Sequence, residues 1–320
     1  MKIKFICCIL AAAFISILTG CSQSKNTRIA NELHFSLNGV FDVTISYDEE
    51  NITFFETDGD ELIIKEYMSE NKSRYYARVI KSHDIIHISE GGKPFFRNGF
   101  SRYIEVYIPV SYSQTLKVTS TDGNIDLSNI KPQLSALRID STAGTVEIDS
   151  AAASDIHLST TRGTLNLKNI AADTVRLDTT SGNISCGRLA GNITCTSTSG
   201  NFTCDELTGY ISYTSTRGNA DIKSAAGSGS YKANNSGRLN ITYTELNGNL
   251  SLFNKNGDIN LTLPDDLEFE FYAAAKNGTI SASFDEYIDI DGRTAHGIIG
   301  GNPSVTVKAE TKNGDIMAAQ

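Results

Sequence analysis

Residues 175–204 read VRLDTTSGNISCGRLAGNITCTSTSGNFTC, and this stretch decides the fold. Its apolar residues come in pairs two apart: Val175/Leu177, Ile184/Cys186, Ile193/Cys195 and Phe202/Cys204. Between alternate pairs lies a Ser/Thr-rich corner that ends in glycine, Thr179-Thr180-Ser181-Gly182 and then Ser197-Thr198-Ser199-Gly200. Residues two apart on a strand share a face, so each pair points to one side and the polar residues between them to the other. A strand of three to five residues cannot bury its own face. Such units must stack and share a core.

The same spacing extends in both directions. It links Leu116/Val118 to Ile125/Leu127, Leu137/Ile139 to Val146/Ile148, and Ile156/Leu158 to Leu165/Leu167. It continues through Ile211/Tyr213 to Ala220/Ile222, Leu250/Leu252 to Ile259/Leu261, and Phe269/Phe271 to Ile280/Ala282. One step, Tyr231/Ala233 to Leu239/Ile241, reads a residue tighter, and Val305/Val307 reaches Ile316 after an insertion. Ten units result, mostly 18 to 21 residues apart. Stacked in sequence order at about 4.8 Å per coil they make a rod of roughly 45 Å. The corner glycine serves either a positive φ or a close approach that a Cβ would obstruct. No window sustains a 3.6-residue period, which excludes helical architectures. The fold class is therefore all-β, a two-sheet β-solenoid of stacked coils of about 19 residues.

Residues 28–112 differ. Val43 to Tyr47, Asn51 to Phe55, Leu62 to Ile64, Tyr75 to Ile80, Ile85 to Ile88 and Arg102 to Val110 read as longer antiparallel strands separated by turns such as Asp58-Gly59-Asp60. They are expected to cap the N-terminal end of a solenoid spanning 113–320, whose 283–303 insertion either folds over the far edge or stays mobile.

The first residues read as an address. Lys2 and Lys4 precede an apolar stretch from Phe5 to Leu18 broken only by Ser16, which fits a signal peptide over 1–20 better than a spanning helix. Leu18-Thr19-Gly20-Cys21 resembles a bacterial lipobox, which makes Cys21 the expected lipidation site and 21–27 a lipidated tether. The chain of 320 residues carries a net charge of −9, from 37 acidic and 28 basic residues, which argues against nucleic acid as a partner. Only 5 prolines accompany 26 glycines, a balance that fits many tight turns rather than a disordered chain.

With the S/T-x-x-G-N-I corners and the terminal Lys312-Asn313-Gly314-Asp315-Ile316, the chain resembles a bacterial β-strand-repeat family described as adhesin-like or as a domain of unknown function. The resemblance covers roughly residues 35–320 and includes the glycine-rich Gly297-Ile298-Ile299-Gly300-Gly301. It implies an exported or membrane-tethered protein, in some members similar to envelope-stress operon proteins, and carries no catalytic residues to transfer.

Candidate sites are few. Lys117, Arg138, His157 and Arg176 fall at equivalent outward positions in consecutive coils, a ladder able to bind an anionic polymer. Asp140 and Asp178 sit two residues further on and would partly neutralise it. Asp126 and Glu147 are equivalent carboxylates about 5 Å apart, a retaining-glycosidase spacing with nothing to single out one as acid. Cys186 and Cys204 are inward neighbours, buried thiols or a disulfide, and Cys195 belongs to the opposite sheet. No cysteine forms a CxxC or a Cys/His cluster, and Asp289-Ile290-Asp291-Gly292 lacks the glutamate of a calcium loop. P-loop, GxSxG and HExxH motifs are absent. No catalytic residue, cofactor or metal is assigned.

The expected function is that of a lipid-anchored bacterial envelope protein, non-enzymatic, whose rigid solenoid presents a polar surface for binding or adhesion. Its expected partners are the membrane, through the N-terminal lipid, and an envelope polysaccharide or membrane protein. The alternatives are an accessory subunit of an envelope-stress or transport system, or a polysaccharide-acting β-helix enzyme.

Overall fold

The computed structural model describes residues 27–95 and 99–320. The expected signal peptide over 1–20, the expected lipidation site Cys21 and the expected tether up to residue 26 lie outside the described residues. From Gln133 to Thr262 each coil pairs in parallel with the coil before it. In the first sheet Leu116, Leu137, Ile156, Val175, Ile193 and Ile211 form one inward column. In the second, Ile125, Val146, Leu165, Ile184, Phe202, Ala220, Leu239 and Ile259 form another. Both columns are buried and belong to one continuous core. Burying a side chain of this size stabilises by about 1.5–3 kcal/mol, and here only stacking achieves it.

The corner glycines show why the register is fixed. A Cβ on Gly144 would lie 2.0 Å from the carbonyl oxygen of Gly123, one on Gly182 1.8 Å from that of Gly163, and one on Gly200 1.7 Å from that of Gly182. The same contact links Gly200 to Gly218, Gly218 to Gly237 and Gly237 to Gly257. At Gly182 and Gly200 the reason is this close approach, since neither has a positive φ.

The Ser/Thr three residues earlier is buried and closes the corner. Ser197 Oγ donates to the Gly200 carbonyl (2.8 Å), and Thr179 Oγ1 accepts from the Gly182 N–H (2.8 Å). The residue after the glycine ties one coil to the next. Asn183 Oδ1 accepts the Asn201 N–H (3.0 Å), Asn201 Oδ1 that of Asn219 (3.2 Å) and Asn219 Oδ1 that of Arg238 (2.8 Å). The S/T-x-x-G-N signature is thus a set of hydrogen bonds within and between coils.

The opposite corner departs from the sequence reading. The chain stays hydrogen-bonded through it, so the strands from Val146–Thr160 to Leu239–Asn256 run 14 to 18 residues and bend rather than break. A third inward column, Ala151, Ile170, Leu189, Leu207 and Ala225, fills the core there. The step read as tighter is in fact longer. Gly229 and Tyr231 pair with Ile211 and Tyr213, which puts Ala233 at the Ser/Thr position of the corner. Gly229 hides the pattern because it occupies an inward site, where a Cβ would meet Tyr243 Oη at 2.8 Å.

Both ends of the stack depart from sequence order. Within 28–112 only the outer strands are antiparallel: Arg28–Ser36 on Glu61–Met68, Glu61–Met68 on Arg102–Pro109, and Arg78–Lys81 on Ile85–Ser89. Asp42–Tyr47 and Ile52–Thr57 run parallel to the first solenoid coil on one side, and to Ile85–Ser89 and Arg102–Pro109 on the other. At the far end the last coil, Val305–Asn313 with Ile316–Ala319, slots between Leu239–Asn256/Ile259–Thr262 and Phe269–Ala275/Ile280–Ala282. The glycine contacts follow the same order, Gly257 to Gly314 to Gly278. The hairpin Ile288–Asp291/Thr294–Ile299 then covers the edge of Phe269–Ala275. Phe284 closes the core end against Phe269 and Phe271, with ring centroids 5.3 and 5.2 Å away.

The N-terminal end is held by a buried ionic cluster. The fully buried Arg102 side chain donates to Glu50 (2.9 Å), to Glu90 and to the Tyr75 carbonyl (2.8 Å), and Lys93 adds a contact to Glu90 at 2.7 Å. Burial, the largest influence on it, raises the Glu90 carboxyl above its usual range.

Three outcomes follow. Gly200→Ala is expected to destabilise the protein by about 3 kcal/mol in denaturant unfolding. Gly301→Ala, where a Cβ meets nothing within 4 Å, should be near neutral. Arg102→Met, which leaves Lys93 as the one cation beside Glu50 and Glu90 among the described residues, should cost about 3 kcal/mol by the same measurement.

Candidate functional site

The register brings the four predicted ladder residues together. Lys117 pairs with Arg138, Arg138 with His157 and His157 with Arg176 on the outer side of the first sheet. Each also has a carboxylate partner. Lys117 contacts Asp42 (2.5 Å), Arg138 contacts Asp155 (3.5 Å), and His157 (3.0 Å) and Arg176 (2.5 Å) share Asp178. Partly exposed pairs of this kind stabilise by roughly 0–1 kcal/mol, but they cancel the local field. The row is a neutralised stripe of alternating charge. Beyond it the same position becomes Thr194, Ser212, Ser230 and Ser251 in successive coils.

On the second sheet Glu147 stands in register with Asp126 and is followed by Asn166, Ser185 and Thr203. Asp126 Oδ1 accepts the Ser128 N–H (2.8 Å), a turn contact. Lys168, Arg188 and Lys223 are paired with Asp149 (2.8 Å), Glu206 (2.7 Å) and Asp205 (2.7 Å). Shallow open grooves run along the outer face of this second sheet, one lined by Glu147, Asp149, Asn166 and Lys168 and another by Asn51, Asn124, Asp126 and Glu147. Among the described residues no three His, Cys, Asp or Glu side chains come close enough to hold a metal ion. No described helix is long and apolar enough to cross a membrane.

One surface feature escaped the sequence reading. Near the N-terminal end the outer face carries two stacked ring pairs, Tyr67/Tyr103 (4.4 Å) and Phe55/Tyr107 (5.2 Å). Glu105 accepts from the hydroxyls of both Tyr67 and Tyr107 (2.9 Å each), and Lys65 lies 4.8 Å from the Tyr107 ring. The signal was the outward alternation of Tyr103, Glu105 and Tyr107 within Arg102–Pro109, whose partners are set only by long-range pairing.

The cysteines are core residues. Cys186 and Cys204 are adjacent in register, Cys195 belongs to the other sheet, and all three are free and buried. The hydrogen bond with Cys204 and then burial push the Cys186 thiol well above its usual range, and burial does the same to Cys195. Because all three are buried, they should resist a thiol-specific reagent at pH 8 in the native state. Each should be modified after denaturation, as read by peptide mass mapping.

Stacked parallel coils, corner glycines and outward polar rows define a β-solenoid with a repeated surface. The chain belongs to the Toastrack DUF4097 family, whose profile matches residues 41–234 and 206–318. No curated protein matches it. Three solved structures are similar over most of their length. A candidate cell-adhesion protein from Clostridium sporogenes ATCC 15579 is 14% identical, with 91% of this chain and 99% of that chain covered and a TM-score of 0.25. Candidate adhesins from Bacteroides fragilis NCTC 9343 and Parabacteroides distasonis ATCC 8503 are each 10% identical, with 90% of this chain and 96% of theirs covered, at TM-scores of 0.29 and 0.37. Likeness at this level carries no argument about function.

Proposed function

We propose that this protein is a non-enzymatic envelope protein, lipid-anchored through Cys21, whose solenoid is a rigid scaffold that binds an envelope polymer through its outer faces. The observation that carries this reading is the unbroken register of outward polar rows, Thr194-Ser212-Ser230-Ser251 on one sheet and Asn166-Ser185-Thr203 on the other. Such rows offer weak hydrogen-bonding groups at one pitch of about 4.8 Å. A surface of that kind gains affinity by multiplicity rather than by a pocket, which suits a repeating ligand. The anchor rests on Leu18-Thr19-Gly20-Cys21 and the apolar run before it.

The test uses purified protein and envelope fragments from the same cells, read by co-sedimentation together with release of reducing ends over time. Saturable co-sedimentation without new reducing ends is the expected result. Steady release would replace binding by hydrolysis, and co-purification with a membrane protein but no polymer would move the role to that of an accessory subunit. Cys21→Ser is expected to shift the protein from the membrane fraction to the soluble fraction, which checks the anchor separately.

A further inference from the structure

The slotting of the last coil assembles a surface that the sequence scatters. Lys255, Lys276 and Lys312 each open a Lys-Asn-Gly corner, and by sequence they belong to coils of which the last follows a long insertion. In the stack they occupy consecutive rungs in the order Lys255, Lys312, Lys276. Asn254 pairs with Thr311 and Asn256 with Asn313, which sets Lys255 beside Lys312. The Lys276 N–H donates to the Thr311 carbonyl (3.0 Å) and the Asn277 N–H to the Lys312 carbonyl (3.0 Å), which sets Lys276 on the other side. Arg293 comes next, its carbonyl accepting the Ala275 N–H at 2.9 Å.

All four residues are exposed. None of their side chains has an ion pair or hydrogen bond among the described residues, unlike the Lys117–Arg176 row and Lys168, Arg188 and Lys223. The acidic groups nearby are otherwise engaged or lie across the turn. Glu310 contacts Lys308 (2.8 Å), Asp258 Oδ1 accepts the Asp315 N–H (3.0 Å), and Asp315 Oδ1 accepts from the Thr279 N–H and hydroxyl (2.8 Å each). Asp291 is exposed in the turn that carries Arg293 and makes no ion pair among the described residues. Like charges one rung apart repel one another, and an anion laid along the corner removes that repulsion.

Beside the lysines runs an amide ladder. Asn277 donates to Asn313 (2.8 Å), Asn313 to Asn256 (2.5 Å), and Asn256 to the Asn235 carbonyl (2.5 Å). Asn277 and Asn313 each have a second N–H to offer, which suits hydroxyl groups next to the negative charge, while Asn256 Nδ2 also reaches Asn235 Oδ1 (3.4 Å).

We propose that the corner formed by Lys255, Lys312, Lys276 and Arg293 binds a linear acidic polysaccharide, one that presents carboxylates at short intervals along a hydroxyl-rich chain. The proposal rests on the polymer-binding reading above and names its ligand class and place, at the end of the stack away from the N-terminal cap.

The probe is polygalacturonate, with neutral dextran as comparison, titrated against the purified protein at low and moderate salt. The wild type is expected to bind polygalacturonate over dextran, more weakly as salt rises. The triple variant Lys255→Gln/Lys312→Gln/Lys276→Gln should lose about tenfold in affinity and much of the salt dependence. Lys168→Gln/Arg188→Gln/Lys223→Gln removes the same total charge from paired positions and should bind as the wild type. Equal loss in both variants would reduce the effect to net charge and overturn the site. Unchanged binding in the first variant, or no preference for polygalacturonate, would also overturn it. Polymer binding to envelope fragments that survives the first variant would leave the broader function standing while this site fell.

Discussion

The structure depends on how closely one corner can lie on the next. From Gly144 on, each corner glycine lies against the carbonyl oxygen of the corner glycine in the neighbouring coil, and Gly123 against that of Glu50, at a distance that leaves no room for a methyl group. That contact sets the pitch, and the pitch sets everything that repeats: the inward columns, the Asn Oδ1 bridges at Asn183, Asn201 and Asn219, and the outward rows. A slip of one residue would turn the Leu/Ile/Val columns to solvent and move a side chain into the glycine position. The two penalties reinforce each other, so the repeat tolerates loose composition elsewhere.

Open parallel sheets invite further strands, and both ends of this stack are closed by return of the chain. At the N-terminus the chain lays down Asp42–Tyr47 and Ile52–Thr57, runs outward to Arg102–Pro109, then comes back on the inner side at Thr115–Ser120. At the C-terminus it skips one slot, builds the outer coil and the hairpin, and fills the slot last. The terminal strand Ile316–Ala319 therefore lies between two neighbours instead of at an edge. Closure also differs chemically: a buried Arg102–Glu50–Glu90 cluster holds one end, and three packed phenylalanines fill the other.

The repeat, the two sheets and the corner were legible in the sequence because they rest on spacing within about 20 residues. The third inward column was not, since Ala151 and Ala225 look like surface alanines until register stacks them on Ile170 and Leu207. Gly229 concealed a register by standing where an apolar side chain was expected. Layer order at the ends escaped for a different reason. A long connection can return to any free slot, and only complementarity of inward residues, such as Val307 and Ala309 between Leu250/Leu252 and Phe271/Ala273, selects one. The surface followed suit: the Lys117 to Arg176 row and the neutralising Asp178 could be read from the sequence, but Asp42, the partner of Lys117 from a strand far away in the chain, could not.

Function on this scaffold is a matter of which side chains the register lines up, so layer order is the claim to test. Cysteines placed at the exposed corner positions would report it, because a disulfide requires Cα atoms about 4.4–6.8 Å apart. Lys255→Cys/Lys312→Cys is predicted to cross-link rapidly under mild oxidation, while Lys255→Cys/Lys276→Cys, two rungs apart, stays reduced. Efficient cross-linking of the second pair and none of the first would place the coils in sequence order and contradict the architecture described.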